Sequence, residues 1–325
     1  MIKDIFSTAI GSFPHKDIEK AISLSLSLDI PVWPQLPKAS WRENMYCQFS
    51  ECLPCVQYDS VKREIYFSLS NIEDELTRFY EKFLEQDLEY FKISKEFSCG
   101  FYSFLDAKPY SSYIKGQITG PISFGLSVYD ENGKPIIYHK GLFDAIISGL
   151  LQKALWQNER LKKFGTPIIF IDEPYLASFG SSVIPISRDD VITWLSKIID
   201  PLKEKGIITG IHCCGNTDWS ILLGLDIDIL NFDAYNFKDS LFLYKDLLYE
   251  FIKERILAWG IVPASDEVLN NNEKTLKERL NFAISQNGFL ITPSCGLGSL
   301  DEELAEKAIG LTISLTKLCK SQSQE

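Results

Sequence analysis

Soft and basic side chains of the kind that bind zinc lie at the ends of short apolar runs in the second half of the chain. His212 and Cys214 close the run IITGIHCC, and Cys295 closes the run FLITPSC. Residues two apart on a strand point to the same face, so His212 and Cys214 share a face while Cys213 points away. Asp233 ends a third run, IDILNFD. Two thiolates, an imidazole and a carboxylate suit tetrahedral Zn²⁺, so these four residues form a candidate metal site.

A purely structural interpretation of these cysteines stays open at this point. Buried cysteines commonly act as small apolar side chains, although their occurrence at equivalent strand ends favours the metal. Cys52 and Cys55 form a further Cys-x-x-Cys, but Pro54 lies between them and no second pair follows, so a structural role is favoured there. The chain has eight cysteines and no secretory start, which indicates reduced thiols or metal ligands and not a disulfide framework.

The elements that must position these residues alternate between strand-like and helix-like segments, which is typical of a parallel sheet with crossover helices. Eight segments are predicted as strands: residues 6–10, 30–33, 113–119, 167–171, 207–212, 227–232, 256–262 and 289–292. Eight strand-helix units in about 300 residues fit a (β/α)8 barrel better than an open doubly wound sheet. The carboxyl ends of barrel strands meet at one rim, which would bring the four candidate ligands together.

The chain is predicted to form one barrel domain over residues 1–320, followed by a loose tail at 321–325. An insertion around residues 34–70 interrupts the alternation and contains a possible hairpin. Ser187 and Asp190 resemble a capping box at the start of a helix. We therefore expect the insertion to decorate the barrel without forming a domain of its own.

The composition excludes several classes of protein. Hydrophobic residues make up 45% of the chain, enough for a sizeable core, and the formal charge of -11 disfavours nucleic acid as a partner. The sequence contains no run of about 18 uncharged apolar residues, so no membrane span is expected. The first residues lack the basic and apolar segments of a signal peptide, and a cytoplasmic location is expected.

Five motifs resemble, in their order, the catalytic barrel of cobalamin-independent methionine synthase, in the short single-domain core form of that family. The motifs are AIGSFP at 9–14, KGQITGP at 115–121, IDEP at 171–174, the His-x-Cys at 212–214 and PSCGL at 293–297. The resemblance spans nearly the whole chain. It implies a (β/α)8 barrel that transfers a methyl group to the zinc-bound thiolate of L-homocysteine and so makes methionine.

The resemblance also implies roles for individual residues. His212, Cys214 and Cys295 match zinc ligands, and Asp233 stands where the family has a glutamate ligand. Asp172 matches the carboxylate that holds the amino group of homocysteine, and with the three ligands it completes the expected catalytic set. Backbone groups and one side chain complete the expected substrate site, at Ile10, Gly11, Ser12 and Gln35, the last in place of a glutamate.

Two departures from the family concern the methyl donor. The family stacks its folate on a tryptophan after the TGP motif and protonates the leaving folate with a histidine, and neither residue has a counterpart in SFGLSV or AWGIVPAS. Methyltetrahydrofolate leaves poorly without that proton, whereas methylcobalamin departs as cob(I)alamin and needs none. A methyl-corrinoid, as methylcobalamin or carried by a corrinoid protein, is therefore the expected donor.

Two other functions stay open from the sequence. One is corrinoid-dependent methyl transfer to coenzyme M or another thiol, and the other is a non-catalytic accessory protein that binds zinc or a corrinoid. Asp172 separates the first from methionine synthesis, because a carboxylate suits a substrate ammonium and not a sulfonate. A metal that does not respond to thiols would indicate the second.

Overall fold

The computed structural model describes residues 2–179, 185–280 and 288–322. A parallel sheet of seven strands forms the centre, and a separate antiparallel hairpin lies beside it. The sheet contains β1 (Ile5–Ser7), β4 (Tyr113–Thr119), β5 (Thr166–Asp172), β6 (Ile208–Cys213), β7 (Ile229–Phe232), β8 (Ile256–Val262) and β9 (Phe289–Pro293), and the hairpin contains β2 (Val56–Asp59) and β3 (Glu64–Phe67). The order across the sheet is β1-β9-β8-β7-β6-β5-β4.

Helices follow most of the strands along the chain, as expected of crossover connections between parallel strands. The α-helices are α1 (Ile18–Leu26), α2 (Met45–Gln48), α3 (Ile72–Leu84), α4 (Cys99–Asp106), α5 (Pro121–Ser127), α6 (Lys140–Leu161), α7 (Arg188–Glu204), α8 (Trp219–Gly224), α9 (Ala234–Leu241), α10 (Lys245–Glu254), α11 (Glu273–Arg279) and α12 (Glu302–Gln322). The predicted capping box is confirmed at α7, where the side chains of Ser187 and Asp190 each bond the other's backbone N–H. The predicted hairpin in the insertion is confirmed as β2 and β3.

Residues 30–33 connect the two edges of the sheet. The Ile30 N–H donates to the Ser7 carbonyl of β1 at 3.0 Å, and the Lys115 N–H of β4 donates to the Pro31 carbonyl at 2.8 Å. This segment forms only an isolated parallel bridge, between Val32 and Lys115, because Pro31 and Pro34 lack the N–H groups that a regular ladder needs. The protein therefore has a curled seven-stranded parallel sheet, and the closed eight-stranded barrel stays a prediction.

The apolar core lies in two layers on either side of the sheet. The larger layer packs between strands and helices, and a smaller cluster that includes Ile168, Phe170 and Leu290 packs among the strands themselves. All seven residues of β8 are buried, which is typical of parallel strands covered on both faces. None of the described helices has the length and apolar character needed to cross a bilayer. Two of the residues expected in the loose tail, 321 and 322, belong to α12, and residues 323–325 lie outside the described ranges.

Candidate metal centre

The three sequence-predicted soft ligands meet at the carboxyl ends of two strands. His212 and Cys214 lie at the end of β6, and Cys295 lies just after β9. One ligand atom from each of the three lies within 4.8 Å of the other two. Because β7 and β8 separate β6 from β9 in the sheet, the two strand ends approach each other only because the sheet curls. Sheet curvature is therefore what assembles the group.

A row of polar residues crosses three adjacent strands at this level. Asp172 of β5, His212 of β6 and Asn231 of β7 are register partners in turn. Asn231 donates from Nδ2 to the Ala258 carbonyl and to Thr292 Oγ1, both at 2.9 Å. These two acceptors fix the amide so that its Oδ1 oxygen faces His212, which hydrogen-bonds it through Nδ1. The imidazole is thereby held as the tautomer that leaves Nε2 unprotonated.

The free nitrogen of His212 suits a metal. Nε2 is buried and faces Cys214 without a well-formed hydrogen bond to any residue in the described ranges. A buried ring nitrogen of this kind ordinarily has a partner. Metal-bound histidines characteristically bond a backbone or side-chain oxygen through their other nitrogen, as His212 bonds Asn231 here. The residues present therefore fit a zinc ion at Nε2.

The two thiols are electrostatically linked. Cys295 donates its proton toward Cys214, and this contact lowers the pKa of Cys214 well below that of a free thiol, against the effect of burial. The same contact, with burial, raises the pKa of Cys295. Burial alone would lower the pKa of His212, but the neighbouring Cys214 and Asp172 raise it overall. Two neighbouring thiols and an imidazole are a donor set that a divalent cation can bind by displacing the thiol protons.

Asp233, the fourth ligand expected from the sequence, does not join this group. It is the N-cap residue of α9, where Oδ1 accepts from the Asn236 N–H at 2.9 Å and Oδ2 accepts from Asn236 Nδ2 at 2.7 Å. Both carboxylate oxygens are therefore engaged by the first turn of the helix. The structure brings three of the four candidate ligands together, and all three line one cavity.

This cavity has a volume of about 340 Å³ and lies directly over the three ligands. Sequence-predicted residues in its wall are Ile10, Ser12, Gln35, Asp172, His212, Cys214 and Cys295. Gly11 does not line it. The backbone of Gly11 has φ +145 and packs on Gln117, whose side chain lies 2.7 Å from where a Cβ would be, so Gly11 serves the close approach of two segments. Met45 and Asn44, from the insertion, line the cavity unexpectedly.

Asp172 lines the cavity and carries a carboxylate oxygen that has no hydrogen-bond partner within the described part of the chain. Its Oδ1 atom is buried and has no hydrogen-bond partner among the described residues. Burial raises the pKa of Asp172, while the positive charge of Lys115 and the neighbouring His212 act in the opposite direction. A buried oxygen without a donor is costly, and an incoming cationic N–H group would satisfy it.

Lys115 is buried beside the residues that line the cavity. Its side chain is only 1% exposed, donates from Nζ to the Ile10 carbonyl and lies 4.4 Å from the Phe170 ring centroid. Burial lowers the pKa of Lys115 to about 8, although Asp172 opposes that shift. The Ile10 carbonyl, one of the backbone groups expected to bind substrate, therefore already accepts a hydrogen bond from within the protein.

Ser12 connects the start of the chain to the loop that carries Cys295. Its carbonyl accepts from the Leu297 N–H at 3.0 Å, and its Oγ accepts from the Gly298 N–H at 3.3 Å. Gly296 lies so close that a Cβ there would be 2.2 Å from Ser12 Oγ. The motifs AIGSFP and PSCGL therefore pack on each other beside the ligands.

Two solved structures are among those that match this chain. A B12-independent methionine synthase from Shewanella sp. W3-18-1, in complex with selenomethionine, is 20% identical over 67% of this chain and 67% of that chain, with a TM-score of 0.49. A Listeria monocytogenes protein, provisionally assigned as a vitamin B12-independent methionine synthase, is 12% identical over 92% of this chain and 85% of that chain, with a TM-score of 0.53. No protein-family model and no curated protein matches the sequence. The Listeria comparison shows a shared α/β fold.

Proposed function

We propose that this protein is a zinc-dependent methyltransferase that makes methionine by methylating the thiol of L-homocysteine, on a (β/α)8 barrel. The observation that carries the proposal is the group of His212, Cys214 and Cys295, whose ligand atoms lie within 4.8 Å of one another beneath a cavity. Three soft ligands with an open fourth side are typical of catalytic zinc, whereas structural zinc sites are closed by four protein ligands. The names of the two structures of similar fold agree with this activity.

Zinc at these three residues would supply the positive charge that converts a thiol of pKa about 8.5 into a bound thiolate at neutral pH. His212 would be held for this role by Asn231, and the two cysteines would bind as thiolates. Asp233 as a further ligand stays a prediction, since its oxygens bond Asn236.

The remaining residues of the cavity would bind and orient the amino acid. Asp172 offers its unpaired carboxylate oxygen to the substrate ammonium, which places the substrate sulfur toward the cysteines. A cavity of about 340 Å³ is large enough for a small amino acid. In the transfer, the sulfur lone pair forms the bond to the methyl carbon as the bond from methyl to donor breaks, and that electron pair leaves with the donor.

The methyl donor is predicted from the sequence. A methyl-corrinoid, free or on a corrinoid protein, stays the prediction from sequence because the run from Leu257 to Ser265 offers no histidine that could protonate a folate. Both structures of similar fold carry names that describe B12 independence, so the comparisons give the corrinoid no support.

Donor-dependent turnover tests the proposal. Zinc-loaded protein is incubated with homocysteine or, in parallel, with coenzyme M, and with either methylcobalamin or methyltetrahydrofolate. Methionine and methylated coenzyme M are measured by mass spectrometry, with Cys214→Ala as the inactive control. We expect methionine with the wild type and none with the variant. Turnover with folate alone would contradict the corrinoid prediction, and methylation of coenzyme M in place of homocysteine would support the other thiol. No methylation from either donor would overturn the proposal.

A further inference from the structure

A chain of two glutamine amides leads from the protein interior to the cavity. Gln35 lines the cavity and is 7% exposed, and it donates from Nε2 to Gln48 Oε1 at 2.7 Å. Gln48 is completely buried and donates from Nε2 to the Phe97 carbonyl at 2.8 Å. Gln48 is the last residue of α2, within the insertion to which the sequence assigns no function.

The orientation of both amide groups is determined by the Phe97 carbonyl, which accepts the hydrogen bond at the buried end of the series. A backbone carbonyl can only accept, so the Nε2 atom of Gln48 must face Phe97 and its Oε1 atom must face Gln35. An oxygen of Gln48 at that place requires a donor, so Nε2 of Gln35 must face Gln48. The opposite orientation of either amide would place two oxygens against each other.

The Oε1 atom of Gln35 is then the amide atom left for the cavity. No donor among the described residues forms a hydrogen bond to it. Each amide in such a chain polarises the next, so the terminal oxygen becomes a better acceptor than that of an isolated glutamine. It shares the wall of the cavity with the carboxyl group of Asp172, whose Oδ1 atom also lacks a hydrogen-bond partner among the described residues. An ammonium group carries three N–H donors and can satisfy both oxygens, whereas a carboxylate or sulfonate would be repelled by both.

We propose that Gln48 is a positioning residue that fixes Gln35 with its carbonyl oxygen toward the cavity, and so makes the site selective for thiols that carry a primary ammonium group. The inference rests on the proposed function, because it concerns the same cavity and the same thiol substrate. It gives part of the insertion a role in the site, since Gln48 acts on the substrate only through Gln35.

The test compares two thiols that differ only in the amine. Binding of L-homocysteine and of 4-mercaptobutanoate, which lacks the amino group, is measured by calorimetry on the zinc-loaded protein. The variants are Gln48→Met, Gln35→Met and the double variant. The matched control is Gln152→Met, which removes a buried amide of α6 that does not line the cavity.

We expect Gln48→Met to weaken homocysteine binding about tenfold, the effect of one hydrogen bond to a charged group, and to leave 4-mercaptobutanoate unchanged. Gln35→Met should match it, the double variant should add no further loss, and Gln152→Met should bind both thiols as the wild type does. The double variant separates positioning from a general effect on the fold, because a structural role of Gln48 would persist without Gln35.

Unchanged homocysteine binding in Gln48→Met, or an equal loss for both thiols, would overturn the inference and leave the proposed function standing. Should Gln48→Met fail to fold, Gln35→Met decides alone, and its binding homocysteine with wild-type affinity would overturn the inference. Wild-type protein that binds neither thiol would overturn the proposed function, and the inference with it.

Discussion

The Nδ1 atom of His212 and the Oδ1 atom of Asn231 are hydrogen-bonded across adjacent strands, and this bond determines which nitrogen of the imidazole faces the two cysteines. Asn231 is itself held by the Ala258 carbonyl and by Thr292, so its oxygen cannot turn away without breaking two further bonds. The orientation of the His212 imidazole is therefore determined by residues of β7, β8 and β9 as well as by β6, the strand that carries His212.

Removing the Asn231 amide should weaken metal binding without removing a ligand. We expect Asn231→Leu to lower zinc affinity about 10- to 100-fold, because the imidazole loses the acceptor that fixes its tautomer and orientation. Competition with a chromophoric chelator measures the affinity. Thr292→Val is the comparison, since it removes one of the two bonds from Asn231 Nδ2 but leaves the Ala258 carbonyl and the acceptor for His212, and a smaller loss of zinc affinity is expected. Equal losses in the two variants would contradict this account.

The two adjacent cysteines at the end of β6, Cys213 within the strand and Cys214 just after it, should respond differently to substitution. Cys214→Ala removes a member of the ligand group, and we expect it to lose bound zinc. Cys213 is completely buried in the apolar core and its thiol lies toward the Gly215 carbonyl, so Cys213→Ala should keep zinc and lose only some stability. Metal content after gel filtration, by mass spectrometry, checks both. Zinc lost from Cys213→Ala and kept in Cys214→Ala would show that the assignment of the pair is wrong.

Substitution of Asp172 should weaken the binding only of thiols that carry an amino group. Asp172→Asn keeps the shape of the side chain but removes the charge that attracts an ammonium, and we expect homocysteine to bind about 30-fold more weakly. Binding of 4-mercaptobutanoate should stay within about twofold of the wild type, since that thiol has no amine to lose the contact. Steady-state KM for homocysteine gives the same comparison in turnover. An unchanged KM would favour a thiol substrate without an amino group.

Glu173 should make the fold less stable as pH rises. Its buried carboxyl accepts from the Ile122 and Ser123 N–H groups and from the Ser123 hydroxyl, yet burial raises the pKa of Glu173 from 4.5 to about 7. The folded state then binds more protons than the unfolded state between those values, so the free energy of unfolding falls across that window, by up to about 3 kcal/mol. Denaturant titrations at several pH values should show a fall that Glu173→Gln lacks. The same slope in both proteins would contradict the assignment.

The sequence predicts the parts of the site that depend on local pattern. Strand ends follow from short apolar runs, and a parallel sheet brings their carboxyl ends to one edge, so the placement of His212, Cys214 and Cys295 at that edge is predicted from the sequence. Their approach to within 4.8 Å also requires the curl of the sheet, because β7 and β8 lie between β6 and β9. Seven of the eight predicted strands are regular. The eighth, residues 30–33, fails as a regular strand because Pro31 and the following Pro34 interrupt its ladder, although both residues are visible in the sequence.

Other parts could not be predicted because they depend on contacts distant in the chain. The hydrogen bond between Gln35 and Gln48 requires the path of the insertion, which no periodicity specifies. The sequence gives only a weak indication of the role of Asn231. It is a polar residue within the buried strand ILNF, and buried polar residues usually have a hydrogen-bond partner. The sequence gives a stronger indication that Asp233 caps a helix. An aspartate at a strand end before a helix is a frequent N-cap residue, and capping the helix competes with binding a metal.

X-ray absorption at the zinc edge, recorded on the purified protein before and after addition of L-homocysteine, tests the central claim most directly. The account predicts about one zinc per chain with two sulfur ligands at about 2.3 Å and at least one nitrogen ligand, and a third sulfur when homocysteine is added. A protein that holds no zinc, or zinc whose sulfur count does not change with homocysteine, would contradict the account.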